Sequence, residues 1–201
     1  KKEPFGVKPK NVGQRFMQEA LMQSAAAAPL VIIKGPAGTA KTFYSLAVGL
    51  EKIVNAQERE YRRILVTRPN VQFDADIGFL PGSEQEKIAP FLRPVIDNLE
   101  ALVDRDENER YRDEFELSGK IDELFERGYI STEALNFVRG RTITKTYLII
   151  DEAQNLTPKQ AKGVITRAGR GTKLILLGDP EQIDHPFLDE RTNGLSYASE
   201  K

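Results

Sequence analysis

The chain has 201 residues, a formal net charge of -1, one histidine and no cysteine. This length accommodates one sizeable α/β domain with its own hydrophobic core. The absence of cysteine excludes disulfides and thiolate metal sites, and the single histidine, His185, argues against a histidine-based metal site. The charge balance by itself calls for neither a nucleic acid nor a membrane as partner. With no signal peptide and no apolar run of about 18 residues, a cytoplasmic protein without membrane contact is expected.

The amino-terminal residues have the composition of a linker. The stretch KKEPFGVKPK contains two prolines and a glycine. We therefore predict a linker-like segment at residues 1–10 and a single domain at residues 11–201, and we expect this domain to be part of a longer chain.

Short apolar runs alternate with stretches of helical spacing. The apolar runs lie at residues 30–33, 64–66, 147–150 and 174–177. The helical patterns lie at residues 41–56, 84–103 and 158–168. Continuous apolar runs are typical of strands buried on both faces of a parallel sheet. The alternation predicts an α/β fold with a mostly parallel sheet, helices on both faces in three layers, and ligands at the carboxyl ends of the strands.

Three further segments give local predictions. Thr157 is a good N-cap, with Pro158 at the first helical position and Gln160 completing a capping box. Residues 104–116, DRDENERYRDEFE, form a charged run that is either an acidic contact surface or, as we favour, a solvated helix or loop between strands. The four alanines at residues 25–28 are expected to end a helix.

The stretch GPAGTAKT at residues 35–42 matches the phosphate-binding loop pattern G-x-x-x-x-G-K-S/T except that Ala40 replaces the second glycine. It follows one apolar run and opens a helical pattern. A phosphate loop requires this context, because its backbone N–H groups surround a phosphate at a helix N-terminus. The predicted nucleotide-binding residues of the loop are Gly35, Pro36, Ala37, Gly38, Thr39, Ala40, Lys41, Thr42 and Phe43.

ATP and Mg²⁺ are the ligands that this loop predicts. Lys41 is expected to reach the β- and γ-phosphates, and the Thr42 hydroxyl is expected to ligate Mg²⁺. Gly38 occupies a position where the backbone needs no side chain. If the backbone at Ala40 is helical, a methyl group there costs little. The loop of the MCM replicative helicases is similar in carrying alanine there.

Two carboxylates follow the third apolar run in YLIIDEAQN. Asp151 is predicted to hold Mg²⁺ through its water shell, and Glu152 is the candidate base that deprotonates the attacking water. An Asp-Glu pair after a strand can also be a simple helix N-cap, but its combination with a phosphate loop favours catalysis. The Asp-Glu-Ala-Gln sequence resembles the DEAD-type box of helicases.

Two glutamines resemble nucleotide-contacting residues of superfamily 1 helicases. The fourth apolar run ends in GDPEQ, similar to their third motif, and this implies that Gln182 senses the γ-phosphate and that Asp179 ties the sensor loop to the hydrolytic site. Gln14, ahead of the loop, resembles their adenine-reading glutamine. A surface glutamine on an amphipathic helix is the equally weighted alternative for Gln14.

Taken together, six motifs resemble the PhoH family of phosphate-starvation ATPases. They are IGFLPG at 77–82, FVRGRT at 137–142, DEAQNLT at 151–157, ITRAG at 165–169, GDPEQID at 178–184 and RTNGL at 191–195. The likeness runs from residue 8 to residue 195 and is strongest to the branch in which the ATPase follows an N-terminal PIN ribonuclease domain. It implies a RecA-like P-loop ATPase that acts on single-stranded RNA and forms homo-oligomeric rings such as hexamers. Ala40 departs from the glycine of most of the family, which bears on the hydrolysis rate.

Arginines in these motifs are candidates for contacts with phosphate. Arg141 and Arg167 are the preferred candidates for phosphate sensing or for activation of a neighbouring subunit. Arg68 and Arg93 are candidates for contacts with RNA phosphates. Surface salt bridges are the alternative for each arginine.

Three functions follow from these residues. The first is ATP hydrolysis coupled to RNA remodelling or unwinding, as in proteins related to superfamily 1 helicases. The second is a nucleotide-dependent switch or scaffold that regulates a partner nuclease domain. A small-molecule kinase is disfavoured, because water activated by Glu152 would compete with the acceptor.

Overall fold

The computed structural model describes residues 3–36, 40–69, 84–104, 114–135, 138 and 142–182. Among these residues lie five strands: β1 Leu30–Lys34, β2 Arg63–Thr67, β3 Ile130–Thr132, β4 Thr146–Ile150 and β5 Lys173–Gly178. The α-helices of the same ranges are α1 Val12–Met22, α2 Lys41–Val54, α3 Glu84–Val103, α4 Glu114–Glu126 and α5 Pro158–Arg167. Short 3-10 helices lie at Pro4–Gly6 and Ala153–Asn155. None of the helices described is long and apolar enough to cross a membrane.

The five strands form one parallel sheet in the order β1-β5-β4-β2-β3. The register pairs Ile33 with Leu177 across β1 and β5, and Ile150 with Leu176 across β4 and β5. In a parallel sheet all carboxyl ends lie at one edge. Because β5 lies between β1 and β4, the segment that follows β5 lies between the segments that follow β1 and β4.

Two hydrophobic cores cover the two faces of the sheet, so the predicted three-layer α/β fold is confirmed. Side chains alternate across a strand. On β2, Ile64 and Val66 join the core that contains residues of α1 to α4, whereas Leu65 joins the core that contains residues of α5. All five residues of β4 and all six of β5 are buried, as their continuous apolar runs predicted.

Residues 3–10 pack against the domain, although their composition predicted a linker. Val7 is fully buried, and its carbonyl accepts a hydrogen bond from Gln18 Nε2 at 3.0 Å. The backbone N–H of Phe5 donates to Glu51 Oε2 on α2 at 3.1 Å. This segment therefore contacts both α1 and α2.

The local predictions have mixed outcomes. The capping box is confirmed, since the Thr157 hydroxyl accepts from the Gln160 N–H and the Thr157 N–H donates to Gln160 Oε1. The prediction for residues 25–28 is wrong, because α1 ends at Met22 and these alanines follow it in a turn. Of the charged run, residues 105–113 lie outside the described residues, and residues 114–116 begin α4.

A buried lysine at the amino edge of the sheet terminates α1. Lys173 Nζ donates to the carbonyl oxygens of Ala20 at 2.8 Å and Gln23 at 2.7 Å, which are orphan acceptors at the helix end. Burial lowers the pKa of Lys173 to about 8; the charge of Lys52 lowers it further and that of Glu60 opposes the shift. The chain thus carries a cationic group in its core near neutral pH.

We predict that the Lys173→Met substitution changes how stability depends on pH. Between pH of about 8 and 10.5 the folded chain releases the Lys173 proton, whereas the unfolded chain retains it. The free energy of unfolding of the wild type therefore rises relative to that of the variant as pH increases through this range. Urea unfolding of both proteins below and above the range measures the difference. The same substitution at exposed Lys159 serves as control, and a pH-independent difference for Lys173 would contradict the prediction.

Candidate functional site

A cavity of about 280 Å³ opens at the carboxyl edge of the sheet, beside the start of α2. Its lining combines the end of the phosphate-loop sequence, the Asp-Glu pair after β4 and the segment after β5. The lining residues are Ala40, Lys41, Thr42, Phe43, Asn98, Asp151, Glu152, Gln154, Gly178, Asp179 and Gln182. Three motifs distant in sequence therefore meet at one place.

Lys41, the first residue of α2, points back onto the loop that precedes it. Its Nζ donates to the carbonyl oxygens of Gly35 at 2.6 Å and Pro36 at 2.9 Å. Burial lowers the pKa of Lys41, and the charges of Asp179 and Asp151 oppose that shift. An ammonium held by loop carbonyls beside the cavity can exchange these acceptors for the oxygens of an anion.

Ala40 adopts a left-handed backbone conformation with φ 58° and ψ 28° and caps α2. The condition under which the methyl group would cost little, a helical backbone at this position, is therefore not met. The loop pattern requires glycine here because glycine populates positive φ without the steric cost of a Cβ. An alanine in this conformation costs about 1–2 kcal/mol.

Asp151 forms an ion pair with Arg68, an arginine that was a candidate for contacts with RNA phosphates. Arg68 follows β2, and its guanidinium nitrogen lies 2.8 Å from Asp151 Oδ2. The two side chains are 23% and 15% exposed, so solvent screens this pair less than a surface salt bridge. The predicted contact of Arg68 with RNA phosphates stays a prediction; in this structure its guanidinium neutralises the candidate metal-binding carboxylate.

Glu152 also has a left-handed backbone, with φ 54° and ψ 38°. Its N–H donates to Asp151 Oδ1 at 2.9 Å, and its Oε2 accepts from Gln154 Nε2 at 2.7 Å. Non-glycine residues in this conformation cluster at functional sites. The carboxylate of the candidate base is thus held in a defined orientation beside the cavity.

Sequence reasoning missed the role of Gln154. Its buried side chain donates to the Gln182 carbonyl at 2.9 Å and accepts from the Asp179 N–H at 3.2 Å. It therefore bonds both the Asp-Glu segment and the segment after β5. The sequence signal that could have identified it is its place as the fourth residue of the Asp-Glu-Ala-Gln sequence.

Asn98 of α3 is a second residue that the sequence did not single out. It lines the cavity, and its Nδ2 donates to the carbonyl of Pro94 one turn earlier at 2.9 Å. No motif surrounds it, and only the packing of α3 brings it to the site.

Other predicted site residues lie elsewhere. Gln14 is outside the cavity lining, and its Oε1 accepts from the Lys10 N–H and the Tyr44 hydroxyl, both at 2.7 Å.

Arg167 is exposed, and its carbonyl accepts from the Ile143 N–H near the amino edge of the sheet, opposite the cavity. Arg93 pairs with Asp97 on α3. Ala37, Gly38, Thr39 and Arg141 lie outside the described residues.

The residues present fit a Mg²⁺ ion that accompanies a nucleotide. Within the described ranges no group of three or more histidines and carboxylates could hold a metal alone. Mg²⁺ beside a nucleotide needs none, since it takes most of its ligands from phosphates and water. The Thr42 hydroxyl and the Asp151 carboxylate line the same cavity, and both are hard oxygen donors.

The fold and this site define a P-loop NTPase domain. It has a parallel sheet between two layers of helices, a phosphate-loop sequence between β1 and α2, and an acidic pair after β4. The chain belongs to the PhoH family. The family described as PhoH-like protein matches residues 6–201, which confirms the resemblance seen in the sequence.

Relatives support this assignment. The chain is 42% identical over 198 residues to Protein PhoH2 of Bacillus subtilis. The aligned region covers 98% of this chain and 42% of that protein. It is 39% identical over 183 residues to a PhoH-like protein of Synechocystis, covering 91% and 50% of the two chains. A PhoH-like protein of Bacillus subtilis is 38% identical over 194 residues, covering 96% and 54%. The chain thus spans about half the length of the curated relatives it matches.

We expect the Ala40→Gly substitution to raise the free energy of unfolding by about 0.5 kcal/mol. Relief of the left-handed conformation contributes about 1–2 kcal/mol, and the greater freedom of glycine in the unfolded chain, together with the loss of the partly buried methyl group, offsets most of it. The control is Ala101→Gly at an exposed position inside α3, which should lower stability by about 1 kcal/mol. Urea unfolding measures both, and equal losses at the two positions would refute the left-handed assignment.

A second prediction concerns the Arg68–Asp151 pair. Arg68→Gln leaves a partly buried carboxylate without its cation and should destabilise the chain by about 1–3 kcal/mol. The deficit should shrink when Mg²⁺ and a nucleotide are added, because the freed Asp151 then has a cation nearby. Arg93→Gln makes the same change in an exposed pair and should cost less than about 0.5 kcal/mol. Thermal melts of both variants and of the wild type, with and without Mg²⁺ and nucleotide, measure these differences. If Mg²⁺ and nucleotide leave the stability loss of Arg68→Gln unchanged, Asp151 does not bind the added cation.

Proposed function

We propose that the chain binds ATP with Mg²⁺ and hydrolyses it to ADP and phosphate. The observation that carries this proposal is that Lys41, Asp151, Glu152 and Gln182 line one cavity. Hydrolysis needs a cation for the transferring phosphoryl group, a carboxylate near the metal and a base for water. These groups come from three separate motifs.

In this proposal the residues of 35–43 bind the phosphates. Backbone N–H groups at the start of α2 and the positive end of its dipole favour an anion there. Lys41 then moves from the Gly35 and Pro36 carbonyls to the β- and γ-phosphates. Thr42 and Asp151 would hold Mg²⁺, which when bound neutralises charge on the phosphate oxygens. Gln14 is proposed to read the adenine, which requires its amide to exchange at least one present partner.

Glu152 acts as the base of the proposed reaction. Its carboxylate takes a proton from water, the water oxygen attacks the γ-phosphorus, and the bond between that phosphorus and the leaving oxygen of ADP breaks. Gln182 detects the γ-phosphate from the segment after β5. Arg141 and Arg167 are proposed to stabilise the transferring charge. Arg167 could do so only in the cavity of a neighbouring subunit, because the cavity of its own chain lies at the opposite edge of the sheet.

The proposed output of hydrolysis is RNA remodelling or unwinding within a homo-oligomeric ring. The Asp-Glu-Ala-Gln and Gly-Asp-x-x-Gln sequences, which resemble helicase motifs, support this output. A single domain of this fold supplies one wall of the usual nucleotide cleft, so a neighbouring subunit or domain would supply the other. An N-terminal PIN nuclease domain is proposed as the partner in the longer chain.

A nucleotide-dependent switch that regulates such a nuclease is the second candidate function. Lys41 is bound to loop carbonyls and Asp151 to Arg68, so ATP would replace internal contacts at two motifs even without turnover. Nuclease activity that responds to a non-hydrolysable ATP analogue would favour the switch.

The test is ATP hydrolysis by the purified chain with and without single-stranded RNA. We expect Lys41→Ala to weaken ATP binding and to abolish turnover. Glu152→Gln should retain ATP binding and lose about 10²–10⁴-fold in turnover, the usual contribution of a general base. Lys159→Ala and Glu58→Gln, at exposed positions, are the matched controls and should leave turnover unchanged.

Each outcome selects a function. Turnover that RNA raises and that both site substitutions remove supports the motor. Tight ATP binding without turnover, indifferent to RNA, supports the switch. Phosphorylated metabolites among the products would revive the kinase.

A further inference from the structure

The buried side chain of Gln154 connects Glu152 with the segment from Asp179 to Gln182, which is called the sensor segment below. We infer that Gln154 is a positioning residue that sets the orientation of the Glu152 carboxylate according to the position of the segment from Asp179 to Gln182. This inference rests on the proposed hydrolysis, because it assigns Glu152 the role of base. It adds a residue that transmits the state of the sensor segment to that base.

The contacts of Gln154 determine how its amide is oriented. Nε2 uses one hydrogen for Glu152 Oε2 at 2.7 Å and the other for the Gln182 carbonyl at 2.9 Å. Oε1 accepts the Asp179 N–H at 3.2 Å. Both partners of Nε2 can only accept and the partner of Oε1 can only donate, so a flipped amide would lose all three bonds.

A rigid amide with three bonds transmits displacement. The residue is 1% exposed, and rotation of its amide would break all three hydrogen bonds at once. The amide group is planar, so movement of the Gln182 carbonyl or the Asp179 N–H tilts the donor that faces Glu152. Engagement of Gln182 with a γ-phosphate would therefore change the position of the Glu152 carboxylate through one side chain.

Glu152 needs such a restraint. Its N–H is bound to Asp151 Oδ1, and its left-handed backbone fixes where the side chain departs from the chain. The torsions of the side chain remain free unless a partner holds the carboxylate. The charge-assisted bond from Gln154 fixes one oxygen, and misplacement of a catalytic group by about 1 Å can cost about 10²-fold in rate.

A purely structural role makes a different prediction. If Gln154 only joins two loops, its replacement lowers stability and leaves the turnover of the folded chain intact. Gln18 provides the comparison, because it is another buried glutamine whose Nε2 donates to a backbone carbonyl, and it is not among the residues that line the cavity.

The first experiment compares Gln154→Leu, Gln154→Glu and Gln18→Leu. We expect both Gln154 variants to lower kcat about 10- to 100-fold with ATP affinity changed less than about threefold. Glutamate keeps the shape of the side chain and an acceptor for the Asp179 N–H, but it replaces both donors with an oxygen that repels the Glu152 carboxylate, so it perturbs the orientation of Glu152 with little change in packing. Gln18→Leu should lower the melting temperature without changing kcat. A kcat within about twofold of wild type in a folded Gln154 variant overturns the inference.

The second experiment does not require turnover or a foldable Gln154 variant. Glu152→Ala removes the anionic anchor of Gln154, so hydrogen exchange of the Asp179 amide, which donates to Gln154, should accelerate several-fold. Glu58→Ala is the control at an exposed position. Unchanged exchange at Asp179 in Glu152→Ala shows that no coupling runs through Gln154 and overturns the inference. If wild type does not hydrolyse ATP but the exchange responds, the proposed function fails while the coupling stands.

Discussion

The placement of β5 between β1 and β4 brings together the three motifs that line the cavity. Its ladders pair Ile33 with Leu177 on one side and Ile150 with Leu176 on the other. The Gly35 N–H continues the first ladder by donating to the Gly178 carbonyl at 3.1 Å. The phosphate-loop segment, the sensor segment and the acidic pair consequently leave the sheet side by side. If β5 were at the edge of the sheet, the sensor segment could not contact both of its neighbours.

The groups expected to meet a nucleotide are compensated within the chain. Lys41 is bound to loop carbonyls, Asp151 to Arg68 and Glu152 to Gln154. Partly buried charges are costly unless they are paired or hydrogen-bonded. In the proposed binding mode a nucleotide with Mg²⁺ would replace the present partners of Lys41 and Asp151, whereas Gln154 would keep its bond to Glu152. These internal contacts stabilise the charged groups in the chain without nucleotide, and under the proposed function their replacement would couple nucleotide binding to movement of the motifs that carry them.

The sequence predicted the periodic part of the fold and the motifs, but not their contacts. Four strands follow from short continuous apolar runs, and α2, α3 and α5 follow from stretches of helical spacing. β3 was missed because three residues carry too little pattern. The Arg68–Asp151 bond joins residues 83 positions apart, and its formation depends on the pairing of β2 with β4. Such a contact has no local signal, and the same holds for Asn98, which reaches the cavity only through packing of α3.

Ala40 shows why a motif letter and a backbone conformation must be considered together. Of the described residues, four other than glycine have positive φ, and two of them, Ala40 and Glu152, line the cavity. At Glu152 the carboxylate is needed for the proposed chemistry, so glycine cannot replace it. At Ala40 the partly buried methyl group packs against the core that contains α2, which contributes less than the value of about 0.8 kcal/mol for a fully buried carbon of this size. That gain offsets part of the cost of the left-handed conformation. Alanine at this position is therefore compatible with a left-handed backbone and with the phosphate loop.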